Sequence, residues 1–167
     1  MKCRCDVLDA LAVVDMAHTD GALDAFVELA ARGEPYWWLE ASRCSACGTP
    51  WLVAHEERQN DVFVLRRLQA DELQRITEAG AWPSDFDEYE TLLKLGQEAG
   101  HSVRWVDPIG DSSLLSTITD LARQRPGIRV SELASLLAID FDTAATIAEQ
   151  ATITAGVSIT VDDQPWK

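Results

Sequence analysis

The chain is 167 residues long, 47% hydrophobic and 25% charged, which is a globular rather than a disordered balance and enough for one ordinary domain or two small ones. Its 28 acidic residues against 14 basic ones give a net charge of −14, which argues against direct nucleic-acid binding, because affinity for phosphates comes from lysine and arginine. No apolar run approaches a membrane span and residues 1–6 hold no apolar signal core, so the expected compartment is the cytoplasm and no membrane partner is expected.

From the N-terminus, the first feature is Cys3-Arg4-Cys5, one half of a pair completed by Cys44-Ser45-Ala46-Cys47-Gly48. Two thiolates one or two residues apart can face a single tetrahedral metal only across a tight turn, and Gly48 permits that turn. The four cysteines are therefore expected to hold a structural Zn2+. Free thiols, a disulfide and a redox Cys-x-x-Cys are the alternatives. The last of these normally opens a helix, whereas Cys47 leads through Gly48-Thr49-Pro50 into the strand-like run Trp51-Leu52-Val53-Ala54. Between the two cysteine pairs, residues 20–32 carry Leu23, Phe26, Val27 and Ala30 at i, i+3, i+4 and i+7. With Thr19 or Asp20 as a cap and Gly33 and Pro35 as terminators, the spacing predicts a helix. Residues 36–43 read as extended and deliver Cys44 to the metal. Trp37 and Trp38 must then face opposite sides of a strand, one in the core and the other expected under a neighbouring element; the alternative is that it is exposed, where a tryptophan would be a binding anchor. Residues 51–57 and 61–68 predict two antiparallel strands joined near Gln59-Asn60.

Residues 69–100 predict two helices split by Gly80-Ala81-Trp82-Pro83, the second capped by Ser84. Between residues 71 and 90 seven acids (Asp71, Glu72, Glu78, Asp85, Asp87, Glu88 and Glu90) stand against the single base Arg75, the densest negative stretch in the chain. Some of these acids complement helix dipoles in first turns. The alternative is that the same acids steer a basic protein. Asp71, Glu72, Asp85, Asp87 and Glu88, with Trp82 and Tyr89 as apolar anchors, are the candidate partner-binding residues.

The C-terminal third predicts helices at 112–124, 132–138 and 142–154, a Pro126-Gly127 turn and a strand at 157–161. Asp111 or Ser112, Ser131 and Asp140 stand at the helix starts, and Gly156 closes the last helix. This order resembles a winged-helix domain. A DNA-reading helix needs basic or amide side chains on its outer face, and residues 141–154 contain neither lysine nor arginine. The unit is expected to engage protein rather than DNA, although Arg123, Arg125 and Arg129 give it one small basic edge.

Catalysis finds little support. His18, His55 and His101 each sit outside any recognisable motif, and four thiolates leave a zinc ion no position for water. A catalytic reading requires an open zinc position, as when His55 replaces a cysteine as ligand, or a cysteine of low pKa acting as a thiol. The expected fold class is α+β: a zinc-ribbon-like small sheet with flanking helices over residues 1–68, an acidic helical segment packed on it over 69–110, and a winged-helix-like unit over 111–167.

The run from Leu39 through the Cys44-Ser45-Ala46-Cys47-Gly48-Thr49-Pro50-Trp51 knuckle, followed by Asp61-Val62-Phe63-Val64-Leu65-Arg66-Arg67-Leu68 and preceded by Cys3-Arg4-Cys5, resembles small zinc-knuckle immunity proteins encoded beside bacterial polymorphic toxins. The resemblance covers about the first 40 per cent of the chain. It implies a protein that neutralises a basic, nuclease-like toxin by binding it. The alternative is a zinc-ribbon and winged-helix regulator associated with transcription through protein contacts.

Overall fold

The computed structural model describes residues 3–33, 37–102 and 105–162. The chain divides into two compact units, residues 1–101 and 102–167, so the helices of residues 69–100 belong with the N-terminal sheet.

In the first unit, β1 (Leu11–Asp15), β2 (Phe26–Gly33), β3 (Trp38–Cys44), β4 (Pro50–Glu56) and β5 (Val62–Arg67) form an antiparallel sheet in the order β1-β5-β4-β3-β2. β4 lies at the centre with Trp51, Leu52, Val53 and Ala54 all buried, which is why its sequence reads as a continuous apolar run rather than an alternation. Residues 57–60 turn the chain from β4 to β5, as expected.

The helix predicted over residues 20–32 is not formed. Asp20 and Gly21 take positive φ (48° and 73°), breaking a helical path at its first turn, and residues 26–33 pair with β3 as an edge strand. The helical spacing was coincidental. Phe26 stacks on Trp51 at 5.9 Å, while Val27, which the helix reading put in the core, is 49% exposed. A bulge at Leu29 shifts the register between Glu28 and Ala30 and masks the period-2 pattern a strand would otherwise display.

One face of the sheet carries Leu39, Ala41, Leu52, Ala54, Val62 and Val64, all fully buried or nearly so, and is covered by α1 (Ala70–Ala79) and α2 (Tyr89–Glu98). Glu72 caps α1, its carboxylate accepting from the Gln69 backbone N–H at 2.7 Å, and Gly80 at φ 63° ends it. The second helix starts at Tyr89 with Glu88 as its N-cap, not at Ser84. Residues Ser84–Phe86 instead form a separate 3-10 turn that drops Phe86 into the core. A buried carboxylate fastens α2 to the sheet: Glu56, with no solvent exposure, accepts from the backbone N–H groups of Arg58 (3.1 Å), Gln59 (3.0 Å) and Asn60 (2.6 Å) and from the Tyr89 hydroxyl (2.7 Å). Asn60 in turn donates to the Leu93 carbonyl at 3.2 Å. That approach requires Gly96, where an added Cβ would lie 2.5 Å from the Asn60 amide nitrogen.

The second unit contains α3 (Ser112–Gln124), β6 (Ile128–Arg129), α4 (Val130–Leu136), α5 (Phe141–Ala155) and β7 (Ile159–Thr160), with β6 and β7 paired in parallel. Leu114, Ile118, Leu121, Leu133, Ala144, Ile147 and Ala151 form its core, with α3 and α4 both packed against α5. Asp111 and Asp140 cap α3 and α5, accepting from the backbone N–H groups of Ser113 and Thr143. α4 begins two residues earlier than expected because Glu132, rather than Ser131, closes its N-terminus by accepting from the Arg129 backbone N–H at 3.0 Å. The strand expected over residues 157–161 shrinks to two residues.

Candidate metal centre

β3 ends at Cys44, and the chain turns through Ser45-Ala46-Cys47-Gly48-Thr49 into β4. The turn is set by backbone hydrogen bonds: Gly48 N–H donates to the Cys44 carbonyl at 2.8 Å and Cys44 N–H to the Thr49 carbonyl at 2.9 Å. Gly48 has φ 77° with open space where a Cβ would be, so glycine is required here for conformation rather than room. The segment carrying Cys3 and Cys5 has no regular structure of its own. It is held by Arg67, which donates to the carbonyls of Cys5 (2.8 Å) and Leu8 (3.2 Å) while its guanidinium lies 5.0 Å from the centre of the Trp51 ring. Arg4 adds a bond to the Asp20 carbonyl at 2.6 Å.

These restraints bring Cys3, Cys5, Cys44 and Cys47 together with all four sulfurs within 4.8 Å of one another, and no two are joined as a disulfide. The Cys44 and Cys3 sulfurs lie 3.9 Å apart, about twice the length of a disulfide bond. That separation is close to the ~3.8 Å edge of a tetrahedron with zinc–sulfur bonds of about 2.3 Å. Cys5 and Cys44 are buried, Cys3 is partly exposed and Cys47 is exposed. Burial pushes the Cys5 thiol up to about 12, although the Trp51 indole N–H donates to its sulfur at 3.4 Å; the Thr49 hydroxyl and backbone pull Cys47 down to about 6. Four thiolates this close repel one another, and a divalent cation is the species that offsets their charge. The donor set therefore fits a tetrahedral thiophilic metal.

His55 does not join this cluster. It lies on β4 four residues beyond Trp51, about 13 Å along the strand, with Nε2 3.1 Å from Glu40 Oε1, Nδ1 3.7 Å from Glu57 Oε1, and its ring edge-on to Phe63 at 4.8 Å. The cysteines are the only grouping of metal-ligating side chains among the described residues.

The candidate partner-binding residues are dispersed in role. Tyr89 is not a surface anchor. It has no exposed area, stacks on Trp37 at 5.4 Å and donates to Glu56. Arg66 of β5 lies 3.0 Å from Glu72 and 3.1 Å from Asp85, Arg32 of β2 lies 2.7 Å from Asp87, and Arg75 lies 3.5 Å from Asp71. The guanidinium of Arg32 also sits 5.5 Å from the Trp82 ring. The arginine beside Glu72 holds its carboxyl below the usual range. The stretch that reads as nearly pure acid in sequence is thus partly neutralised by cations from two strands. Glu88, at the N-cap of α2, stays exposed. The expectation that both tryptophans are covered is corrected: Trp37 is the core member of the pair at 3% exposure, and Trp38 is not covered by a neighbour but 56% exposed, the alternative the sequence left open.

Comparison with family models, curated proteins and solved structures gives no match to this chain.

Proposed function

We propose that this chain is a non-catalytic binding protein, held together by a structural zinc ion on Cys3, Cys5, Cys44 and Cys47, that neutralises a basic bacterial toxin by covering its charged surface. The observation that carries the reading is the closure of the sulfur cluster. Four cysteine sulfurs account for every position of a tetrahedral ion, and His55 stands with Glu40 instead. Bound there, zinc cross-links the residue 3–5 segment to the β3–β4 turn and supplies folding energy rather than a reactive water. The net charge of −14 favours a basic partner, since complementary fields speed encounter and suppress wrong partners. The resemblance of the knuckle to toxin-immunity proteins supports the choice of a toxin, and nuclease toxins carry the basic surfaces such a blocker would match.

The test is capture of the tagged full chain's partner from its own host at moderate salt, with bound protein and nucleic acid both identified. One basic protein released as salt rises, whose toxicity the chain suppresses, is the expected result. Enrichment of polymerase components or DNA would refute it and favour the second reading, a transcription-associated regulator. That reading is supported by the second unit, whose order of helix, short strand, two helices and strand resembles that of a winged-helix domain. Its α5 carries no lysine or arginine and borders a groove of about 490 Å³ lined by Ala145, Thr152, Ile153 and Val161, which suits a protein contact better than a DNA groove.

A further inference from the structure

The helix-free face of the N-terminal sheet has two halves. Near the knuckle, the residue 3–25 segment covers it, burying Cys5, Ala25, Cys44, Trp51, Val53 and Leu65 as one cluster. At the far end Trp38 stands 56% exposed, an unusual setting for the side chain with most to gain from burial. The reason lies in the edge strand: Gly33 pairs with Trp38 and Ala31 with Glu40, so at this end β2 offers only small residues on this side. The indole lies flat enough over Gly33 that an added Cβ would be 2.5 Å from its Cζ3, which fixes the ring without hiding it.

The charge around this ring has one sign. Glu40, two residues along β3 on the same face, is a quarter exposed with Oε1 3.1 Å from His55 Nε2, and Glu57 lies 3.7 Å from the other nitrogen of that imidazole. Glu28 is exposed further along the edge strand. Among the described strand residues the register places a single lysine or arginine on this face, Arg67, and it is engaged at the knuckle end with Trp51 and the Cys5 and Leu8 carbonyls. The α1–α2 side differs. There Asp71, Glu72, Asp85 and Asp87 already meet the chain's own arginines and Trp82 already carries Arg32, so an incoming cation would have to displace them.

We infer that the exposed sheet face around Trp38 is the surface that engages a basic protein partner, taking a lysine or arginine side chain across the indole with Glu40 as its carboxylate. This deepens the proposed function and rests on its basic-partner reading, but it moves the contact from the acidic helices to the sheet. An aromatic face with an adjacent carboxylate and, among the described residues, no lysine or arginine of its own is a ready receptor for an ammonium or guanidinium group, because the ring quadrupole and the carboxylate attract the same charge.

The experiment uses the metal-loaded full chain with 15N-labelled indoles and decalysine as the probe, at moderate salt, with decaglutamate as the control. The Trp38 indole signal is identified as the one missing from W38F. Decalysine is expected to shift that signal selectively, and E40Q, which keeps the shape of the side chain, is expected to weaken binding by roughly fivefold, the size of a partly desolvated cation–π and charge contact. W38A should weaken it at least as much. D85N with D87N should leave it within about twofold. E40Q keeps the test readable if W38A loosens the edge strand. If decalysine moves the Trp82 indole and leaves Trp38 still, the sheet surface is wrong while the basic-partner reading stands. If Trp38 shifts equally with decaglutamate, or E40Q binds as wild type does, the receptor is also overturned. The toxin reading fails separately, through the capture experiment.

Discussion

The two faces of the N-terminal sheet are held by different means. Against α1 and α2 the chain uses ordinary packing: Leu39, Leu52, Val64, Phe86, Leu92 and Leu93 are all buried, each contributing about 1.5–3 kcal/mol on removal from water. On the knuckle half of the other face, the cover is the residue 3–25 segment, which contains one strand and no helix. Arg67 and the four sulfurs hold it down. Where a helix can supply an apolar stripe, packing suffices; where the cover is irregular chain, four sulfurs spaced for a metal cross-link are gathered instead. The far half of that face has neither, and Trp38 stands open there.

The largest effect that separates the two faces should come from metal removal. Cys44→Ser, or a strong chelator, should abolish a contribution on the order of 10 kcal/mol to the knuckle. Hydrogen exchange should then show protection lost across residues 3–25 and β1 and retained in α3 and α5. Uniform loss along the whole chain would mean the metal holds more than one face. On the packed face, Glu56→Ala leaves three backbone N–H groups and the Tyr89 hydroxyl without their acceptor and should cost about 3–5 kcal/mol in chemical denaturation. Tyr89→Phe should cost about 1–2 kcal/mol, with metal content unchanged in both variants. Gly96→Ala should destabilise by about 1–3 kcal/mol through its clash with Asn60, and Asn60→Ala should relieve part of that cost, which a double-mutant cycle would detect.

The smallest expected effect lies in the second unit. The Arg129 backbone N–H and side chain, with Arg125, hold the Glu132 carboxyl down at about 2. Because its folded value lies below the ordinary value near 4.5, this carboxylate's contribution is complete above that pH and is lost as pH falls toward 2. Exchange protection in α4 should therefore fall through that acid window, and Glu132→Gln should flatten the fall. An unchanged acid limb in the variant would show that other carboxylates govern it.

Much of this architecture was legible before the coordinates. The knuckle could be read because thiolate spacing and Gly48 state a local geometry that tertiary contacts need not supply. β3, β4 and β5 could be read because their apolar runs are short and bounded by turn residues. β2 could not, since a bulge at Leu29 and an accidental i, i+3, i+4 spacing imitate a helix, and only the open edge of β3 decides otherwise. The pairing of the acidic stretch is hidden from the sequence for a related reason. Its partners Arg32 and Arg66 lie on strands distant in sequence, so a local charge count cannot include them. Tyr89 was misplaced because a helix start in sequence does not say which side of its first turn meets the sheet. For Trp38 a signal was present in the small residues Ala31 and Gly33, but it becomes visible only once those residues are known to be its neighbours across the strands.

The most direct test of the central claim, a closed four-sulfur zinc site that folds the protein and does no chemistry, is native mass spectrometry of the full chain combined with thiol titration. The account predicts one zinc ion per chain and four cysteines that react with a thiol reagent only after chelation, the exposed Cys47 included. A metal-free, folded chain whose Cys47 reacts at once would contradict it.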